Sequence, residues 1–146
     1  MSEGQEISKM LVLPNDVQEV AQLNMFVKDV CSTLNISSEV TTNVILAVEE
    51  AVVNAMNYAY PEGTQGEIRI KAYTRSDQLT FEISDNGKPF DPTTTNDPDL
   101  TLSTEQRPIG GLGIYLMKLN MDDMKYQRVN GCNILYLTKN LKPTNS

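Results

Sequence analysis

Residues 44–60 combine an apolar helical pattern with three polar side chains that could do chemistry. Glu50, Asn54 and Asn57 occur at positions i, i+4 and i+7, so in an α-helix they share one face. Buried polar groups are costly unless something binds them, and Mg²⁺ accepts one or two protein oxygens while it keeps waters and phosphates. A carboxylate and an amide one turn apart could therefore hold a hydrated divalent cation. The alternative is that Glu49 and Glu50 form the solvated edge of an amphipathic helix.

A second polar segment, SDNGKPFD at 84–91, follows an apolar strand pattern. Asp85 ends that strand, so its carboxylate is expected to be partly buried, where it could accept a hydrogen bond from an exocyclic amine. Gly87 would let a flat ligand approach the backbone. In isolation, the same three residues Asp-Asn-Gly more often form a plain turn.

A third segment has glycines at 110, 111 and 113, where a helix is expected to begin. Backbone N–H groups at a helix start, together with the helix dipole, can bind a phosphate. The segment has no GKS or GKT ending, and its topology does not fit a dinucleotide-binding βαβ unit. A flexible hinge explains the glycines equally well.

Composition restricts the chemistry. The chain has a net charge of −7 and no histidine, and its two cysteines, Cys31 and Cys132, are isolated. A protein that binds a nucleic-acid groove needs clustered Lys and Arg, and most zinc sites and nucleophilic triads need histidine or paired cysteines. Any catalysis must then rely on carboxylates and a metal. The cysteines are expected to be buried hydrophobic residues rather than a disulfide.

Length and hydropathy predict one domain over residues 1–146. The N-terminus lacks the basic start and apolar core of a secretory leader, and no window approaches the roughly 18 uncharged apolar residues of a membrane span. The expectation is a cytoplasmic protein without membrane contact.

The predicted elements are short strands and helices. A strand over 7–13 ends at Pro14, a capping box at Asn15 and Gln18 starts a helix, and a second helix starts at Ser37. Two hairpins follow, over 66–85 and 124–141, the second turning at Asn130-Gly131. Between them lie a polar loop over about 88–110, here called the lid, and a helix over 114–121, and a frayed tail begins at 143. This order predicts an α+β fold, a two-layer α/β sandwich with a mostly antiparallel mixed sheet and helices on one face.

Taken together, the three segments are far more specific than any one of them. EEAVVNAMNYAYPEG, SDNGKPFDP and GGLGIYLMKLNMDDMKY resemble the Bergerat ATP-binding fold of the GHKL ATPases. Within that superfamily they resemble most the small bacterial anti-sigma-factor serine/threonine kinases. The resemblance spans nearly the whole chain.

The resemblance implies roles for individual residues. Glu50 would be the general base, and Glu50 and Asn54 would hold Mg²⁺. Asp85 would bind the adenine amino group, and Arg107 or Lys88 would neutralise the γ-phosphate. The positions implied to bind the nucleotide are Asn54, Asn57, Asp85, Gly87, Lys88, Gly111, Leu112 and Gly113. Asn57 stands where the family often has histidine, and Asn133 could offer an amide where the family often has threonine near the adenine.

The implied function is an anti-sigma factor with protein kinase activity. It would use ATP and Mg²⁺ to phosphorylate a STAS-type anti-anti-sigma protein, bind a sigma factor, and pair as a homodimer, with no direct nucleic-acid contact. The alternative is a nucleotide-sensing binding module of the same fold without phosphotransfer. The catalytic domain of a histidine kinase is disfavoured because the chain has no histidine to phosphorylate.

Overall fold

The structure of the protein is a computed structural model, which describes residues 6–60, 65–94 and 111–141. Arg107, the part of the lid from 95 to 110, and the predicted tail from 143 lie outside these residues. None of the described helices is long and apolar enough to cross a membrane.

Five strands form one sheet. They are β1 (Ser8–Pro14), β2 (Glu67–Arg75), β3 (Gln78–Asp85), β4 (Asp123–Val129) and β5 (Cys132–Asn140). Their spatial order is β1-β2-β3-β5-β4, and every neighbouring pair is antiparallel. The expected mixed character is therefore not seen among the described strands. β1 and β4 are the two edge strands, whereas β3 lies at the centre, so Asp85 sits at the end of the central strand.

The two hairpins form as the alternation predicted. Ile68, Ile70 and Ala72 of β2 face the same side as Leu79, Phe81 and Ile83 of β3, and all six are buried. Both connecting turns have two residues with positive φ: Ser76 and Asp77 at 52° and 63°, and Asn130 and Gly131 at 52° and 80°. Such turns match the right-handed twist of paired strands. The turn sequences therefore fix the pairing within each hairpin.

Three helices cover one face of the sheet, which confirms the two-layer α+β sandwich. A 3-10 turn at Val17–Glu19 leads into α1 (Val20–Thr33), followed by α2 (Ser38–Asn54) and α3 (Gly111–Asn120). α2 lies in the middle and packs against α1, α3 and β3. Leu23, Val27 and Val30 form the buried stripe of α1, and Cys31 is buried beside them while Cys132 is half-buried, both as free thiols.

The helix caps follow the predicted chemistry with one shift. Ser37 accepts a hydrogen bond from the Val40 N–H at 3.2 Å, as expected for an N-cap. Before α1, however, the capping side chain is Asp16, which accepts from the Gln18 N–H at 2.9 Å. The predicted cap, Asn15, still belongs to the strand region, because its N–H donates to the Gly66 carbonyl at 2.9 Å.

A π-helical turn at Ala55–Ala59 continues directly from α2. A π turn places one extra residue in a helical turn and so rotates everything that follows it. Asn54 is buried, whereas Asn57 is exposed. The prediction that Glu50, Asn54 and Asn57 share one face is therefore wrong for Asn57.

Candidate functional site

The described part of the chain buries three polar side chains, and all three line one cavity. They are Asn54, Asp85 and Asn133, with 5%, 8% and 5% of their surface exposed. The remaining lining is apolar or aromatic: Ala51, Ala55, Ile83, Phe90, Pro92, Met117, Tyr126 and Leu135. The free volume is about 20 Å³, enough for roughly one water. A larger ligand requires lining side chains such as Phe90 and Tyr126 to move apart.

Asp85 presents one carboxylate oxygen that the protein leaves open. Its Oδ1 accepts hydrogen bonds from the Gly87 N–H at 2.8 Å and from Asn133 Nδ2 at 2.9 Å. None of the described residues donates to Oδ2. Burial raises the pKa of Asp85, while the hydrogen bonds from Asn133 and Gly87 and the charge of Arg128 oppose that rise. Asp85 is therefore a partly desolvated acceptor facing an apolar cavity, a position suited to a ligand that donates a hydrogen bond.

Replacing Asp85 with asparagine is expected to stabilise the ligand-free protein at neutral pH. The raised pKa means that burial opposes ionisation, and asparagine keeps the acceptor oxygen without the charge. A carboxyl group with a raised folded-state pKa penalises folding fully above that pKa, and the penalty vanishes as the pH falls to the unfolded-state value. The gain in unfolding free energy, on the order of 1 kcal/mol, should therefore be present at neutral pH and absent near about pH 4. Thermal unfolding of both proteins across this range measures it, and a gain that persists at the acid end contradicts the assignment.

Gly87 is needed where the segment after β3 meets the π-helical turn. A Cβ added at Gly87 would lie 2.3 Å from the Ala59 carbonyl oxygen, and that oxygen also accepts from the Lys88 N–H at 2.7 Å. The glycine therefore has a packing reason in the protein itself, and its predicted place beneath a ligand ring stays a prediction.

Substituting Gly87 with alanine is expected to destabilise the fold, because the Ala59 backbone cannot yield to the added methyl group without losing its bond to Lys88. Overpacking of this kind costs about 1–3 kcal/mol. The urea concentration at half-unfolding should fall accordingly, with an unchanged dependence on urea. An unaltered midpoint would show that the π-helical turn adapts freely.

Aromatic residues attach the start of the lid to the end of α2. The Tyr60 hydroxyl donates to the Glu67 carbonyl at 2.7 Å and accepts from the Asn86 N–H at 3.2 Å. The rings of Tyr58 and Phe90 stack with centroids 5.3 Å apart. From the other side, Arg128 donates to the Gly87 carbonyl at 2.7 Å. These contacts hold residues 86–90 in place. Tyr58 and Tyr60 lie within the motif EEAVVNAMNYAYPEG, but no role had been predicted for them or for Arg128.

Glu50 and Asn54 lie one turn apart at the end of α2. Asn54 is buried, and its Nδ2 has no hydrogen-bond partner among the described residues. An unpaired buried amide costs free energy that a ligand can recover. Glu50 is half-buried, and its pKa is raised by burial and by the neighbouring charge of Glu49. The Glu50 carboxylate and the Asn54 amide oxygen are ligands of the kind that Mg²⁺ takes. The orphaned Nδ2 is a hydrogen-bond donor suited to a phosphate oxygen.

The predicted site residues divide into three groups. The structure brings Asn54 and Asp85 together in the cavity with Asn133, and it places Glu50 one turn before Asn54 on the same helix. It does not bring Asn57 or the exposed side chain of Lys88 into the cavity lining. Gly111, Leu112 and Gly113 are the first three residues of α3, so the glycine segment opens a helix as predicted.

Comparison with known proteins agrees with this geometry. The model of the histidine kinase-like ATPase domain family matches residues 13–139. The chain is 30% identical over 129 residues to the serine-protein kinase RsbW of Listeria monocytogenes, covering 86% of this chain and 82% of the relative. It is 31% identical over 107 residues to the serine/threonine-protein kinase BtrW of Bordetella bronchiseptica, covering 73% and 75%. To RsbW of Bacillus subtilis it is 29% identical over 127 residues, covering 84% and 79%.

Solved structures share the fold. The RsbU and RsbW domains of a Mycobacterium tuberculosis protein superpose with a TM-score of 0.67 at 14% identity, over 94% of this chain and 33% of that one. The histidine kinase domain of a blue-light activated kinase from Erythrobacter litoralis superposes with a TM-score of 0.58 at 15% identity, over 88% and 62%. Since the family model matches residues 13–139, which include the cavity, the described helices and nearly all of β2 to β5, the chain belongs to the histidine kinase-like ATPase family, the GHKL superfamily that its three motifs had indicated.

Proposed function

We propose that this protein is an ATP-dependent serine/threonine protein kinase that acts as an anti-sigma factor. Its substrate is a STAS-type anti-anti-sigma protein, and the phosphorylation state of that protein decides whether the kinase holds a sigma factor. The serine and serine/threonine kinase names of relatives about 30% identical support the reaction type. We place it in the cytoplasm and expect it to pair as a homodimer.

One observation carries the proposal: the buried polar groups of the described chain converge on a single apolar cavity beside Glu50. Asp85 offers an open acceptor to a base that carries an amine, and the unpaired Nδ2 of Asn54 offers a donor to a phosphate oxygen. Asn133 is satisfied within the protein, but the open groups of Asp85 and Asn54 cost stability unless a ligand binds them. A ligand with a donor at one end and anionic oxygens at the other fits that arrangement.

Glu50 supplies the chemistry that the protein itself performs. When bound, ATP with Mg²⁺ supplies a phosphoryl group whose bond to the substrate hydroxyl oxygen replaces its bond to ADP. The Glu50 carboxylate takes the proton of that hydroxyl, and its raised pKa makes it a stronger base than an exposed glutamate. Asn54, one turn along α2, would hold a metal ion through its amide oxygen, and that ion would supply positive charge to the phosphates. Lys88 or Arg107 is expected to neutralise the negative charge that develops on the transferred phosphoryl group.

The partners are proposed on the resemblance and on charge. Two protein partners require two surfaces, and the net charge of −7 suits partners that offer basic patches. This predicts that association with both partners weakens as the salt concentration rises.

Isothermal titration of the wild-type protein with ATP, with Mg²⁺ and then with EDTA, tests the proposal. We expect micromolar binding that depends on Mg²⁺. Transfer of ³²P from γ-labelled ATP to a purified STAS-domain protein, followed by phosphoamino-acid analysis, then tests the reaction and its serine or threonine acceptor. Absence of ATP binding would refute the nucleotide site. Binding without transfer to any STAS protein would favour the nucleotide-sensing module over the kinase.

A further inference from the structure

Asn133 is the most heavily bonded side chain at the cavity. Its Nδ2 donates to Asp85 Oδ1 at 2.9 Å and to the Lys88 carbonyl at 2.8 Å. Its Oδ1 accepts from the Phe90 N–H at 3.1 Å and from the Tyr126 hydroxyl. These four bonds use the whole capacity of a side-chain amide. They also fix which way the amide points, because two acceptors face the nitrogen and two donors face the oxygen.

This saturation removes a role that the sequence left open. An amide with all four bonds made inside the protein has none left for a ligand, so Asn133 does not contact an adenine directly in this arrangement. The position of Asn133 in the sheet explains why it contacts Asp85 and the segment after it. In the β3–β5 register, Asn133 lies directly opposite Asp85, where it can reach that carboxylate and the segment that follows it.

The bond to Asp85 decides which oxygen faces the cavity. Both donors to Asp85, Gly87 N–H and Asn133 Nδ2, go to Oδ1, so rotation of the carboxylate about its Cβ–Cγ bond would break both. Oδ2, to which none of the described residues donates, is then held in place as an acceptor on a side chain that lines the cavity. An acceptor held in place selects for a ligand with a matching donor, because an analogue without the donor leaves a buried charge unpaired.

We propose that Asn133 is a positioning residue that orients the Asp85 carboxylate and thereby makes the site selective for purine nucleotides with an exocyclic amine. The inference rests on the proposed ATP binding. Asn133 lies on β5, 48 residues from Asp85 in sequence. It sets the selectivity without contacting the ligand.

The test compares ATP with purine riboside triphosphate, which has hydrogen in place of the exocyclic amine, by isothermal titration with Mg²⁺. Wild type is expected to bind ATP at least about tenfold more tightly, as one hydrogen bond to a charged group allows. Asn133→Leu keeps the branched shape of the side chain but removes the donor. We expect its ATP affinity to fall about tenfold or more and its preference for ATP to approach unity.

Asn140→Leu is the matched control. It removes an amide on the same strand that accepts from Gln78 Nε2 at 2.8 Å, outside the cavity lining, so the preference for ATP is expected to stay as in wild type. If Asn133→Leu loses its thermal unfolding transition, Asn133→Asp at pH 8 carries the same test. It keeps the shape and the acceptor oxygen, and it replaces the donor by a second carboxylate, so the preference should again be lost.

The outcomes separate the two proposals. A wild type that binds neither nucleotide refutes the proposed function and this inference with it. A wild type that prefers ATP, together with Asn133 variants that weaken both nucleotides in equal proportion, overturns the inference alone, because a purely structural residue would act in that way.

Discussion

Replacement of Glu50 with glutamine is expected to lower the rate of phosphoryl transfer by about 10²–10⁴, the usual contribution of a general base. ATP binding should change little, because glutamine keeps the shape of the side chain and one oxygen for the metal. The reason is specific to the position: burial and the charge of Glu49 raise the pKa of Glu50, so its ionised form is the stronger base. Single-turnover transfer to a STAS-domain protein, at saturating ATP, measures the effect.

Glu49→Gln is the matched control, since it removes a neighbouring carboxylate from the same turn of α2. We expect only a small fall in transfer, because loss of the Glu49 charge lowers the pKa of Glu50 but leaves its carboxylate in place, and we expect binding to be unchanged. A fall in Glu49→Gln as large as that in Glu50→Gln would show that charge on this helix, rather than a base at Glu50, supports the reaction. Unchanged transfer in Glu50→Gln would remove Glu50 from the chemistry.

Replacement of Asn54 with alanine is expected to abolish the part of ATP affinity that depends on Mg²⁺. We propose the amide oxygen of Asn54 as the metal ligand, because Mg²⁺ takes oxygen ligands. The Nδ2 of the same buried side chain has no hydrogen-bond partner among the described residues and remains for a phosphate oxygen. Loss of one protein ligand should weaken ATP binding in Mg²⁺ by at least about tenfold, given that Mg²⁺ takes only one or two protein oxygens. Affinity in EDTA should stay near the wild-type value. Titration of both proteins with ATP under the two conditions gives the comparison.

Asn43→Ala tests the same kind of substitution three turns earlier on α2, away from the cavity lining. Its affinity for ATP and its response to Mg²⁺ should match those of wild type. The assignment of Asn54 fails if Asn54→Ala retains the full gain on adding Mg²⁺. If Asn54→Ala instead loses affinity equally with and without the metal, Asn54 contacts the nucleotide directly.

The elements that depend on local sequence were predictable. Strict alternation marked β2 and β3, and Asn130-Gly131 marked the second hairpin, because a two-residue turn with positive φ selects those residues whatever surrounds it. The motifs containing Asn54 and Asp85 were likewise visible, since each combines an unusual polar residue with an apolar run.

The features that depend on distant contacts were not predictable. Helical faces are predicted by assuming 3.6 residues per turn throughout. The π-helical turn breaks that period, and Asn57 lies in it, exposed to solvent. The bond between Asp85 and Asn133 depends on how β5 aligns with β3, and nothing local to either strand sets that alignment. The same holds for Tyr60, whose partner Asn86 lies 26 residues away.

The position of β5 has a consequence for how the molecule assembles. β2 and β3 can pair as a local hairpin, and so can β4 and β5, but Asp85 meets Asn133 only when the second hairpin docks against the first. Closing that long loop costs chain entropy that is recovered only on docking. The acceptor geometry of the cavity therefore exists only once the second hairpin has docked. A chain still being synthesised that lacks β5 also lacks the bond between Asp85 and Asn133, so it cannot bind the ligand as the folded protein does. A ligand that needs this geometry stabilises only completed molecules.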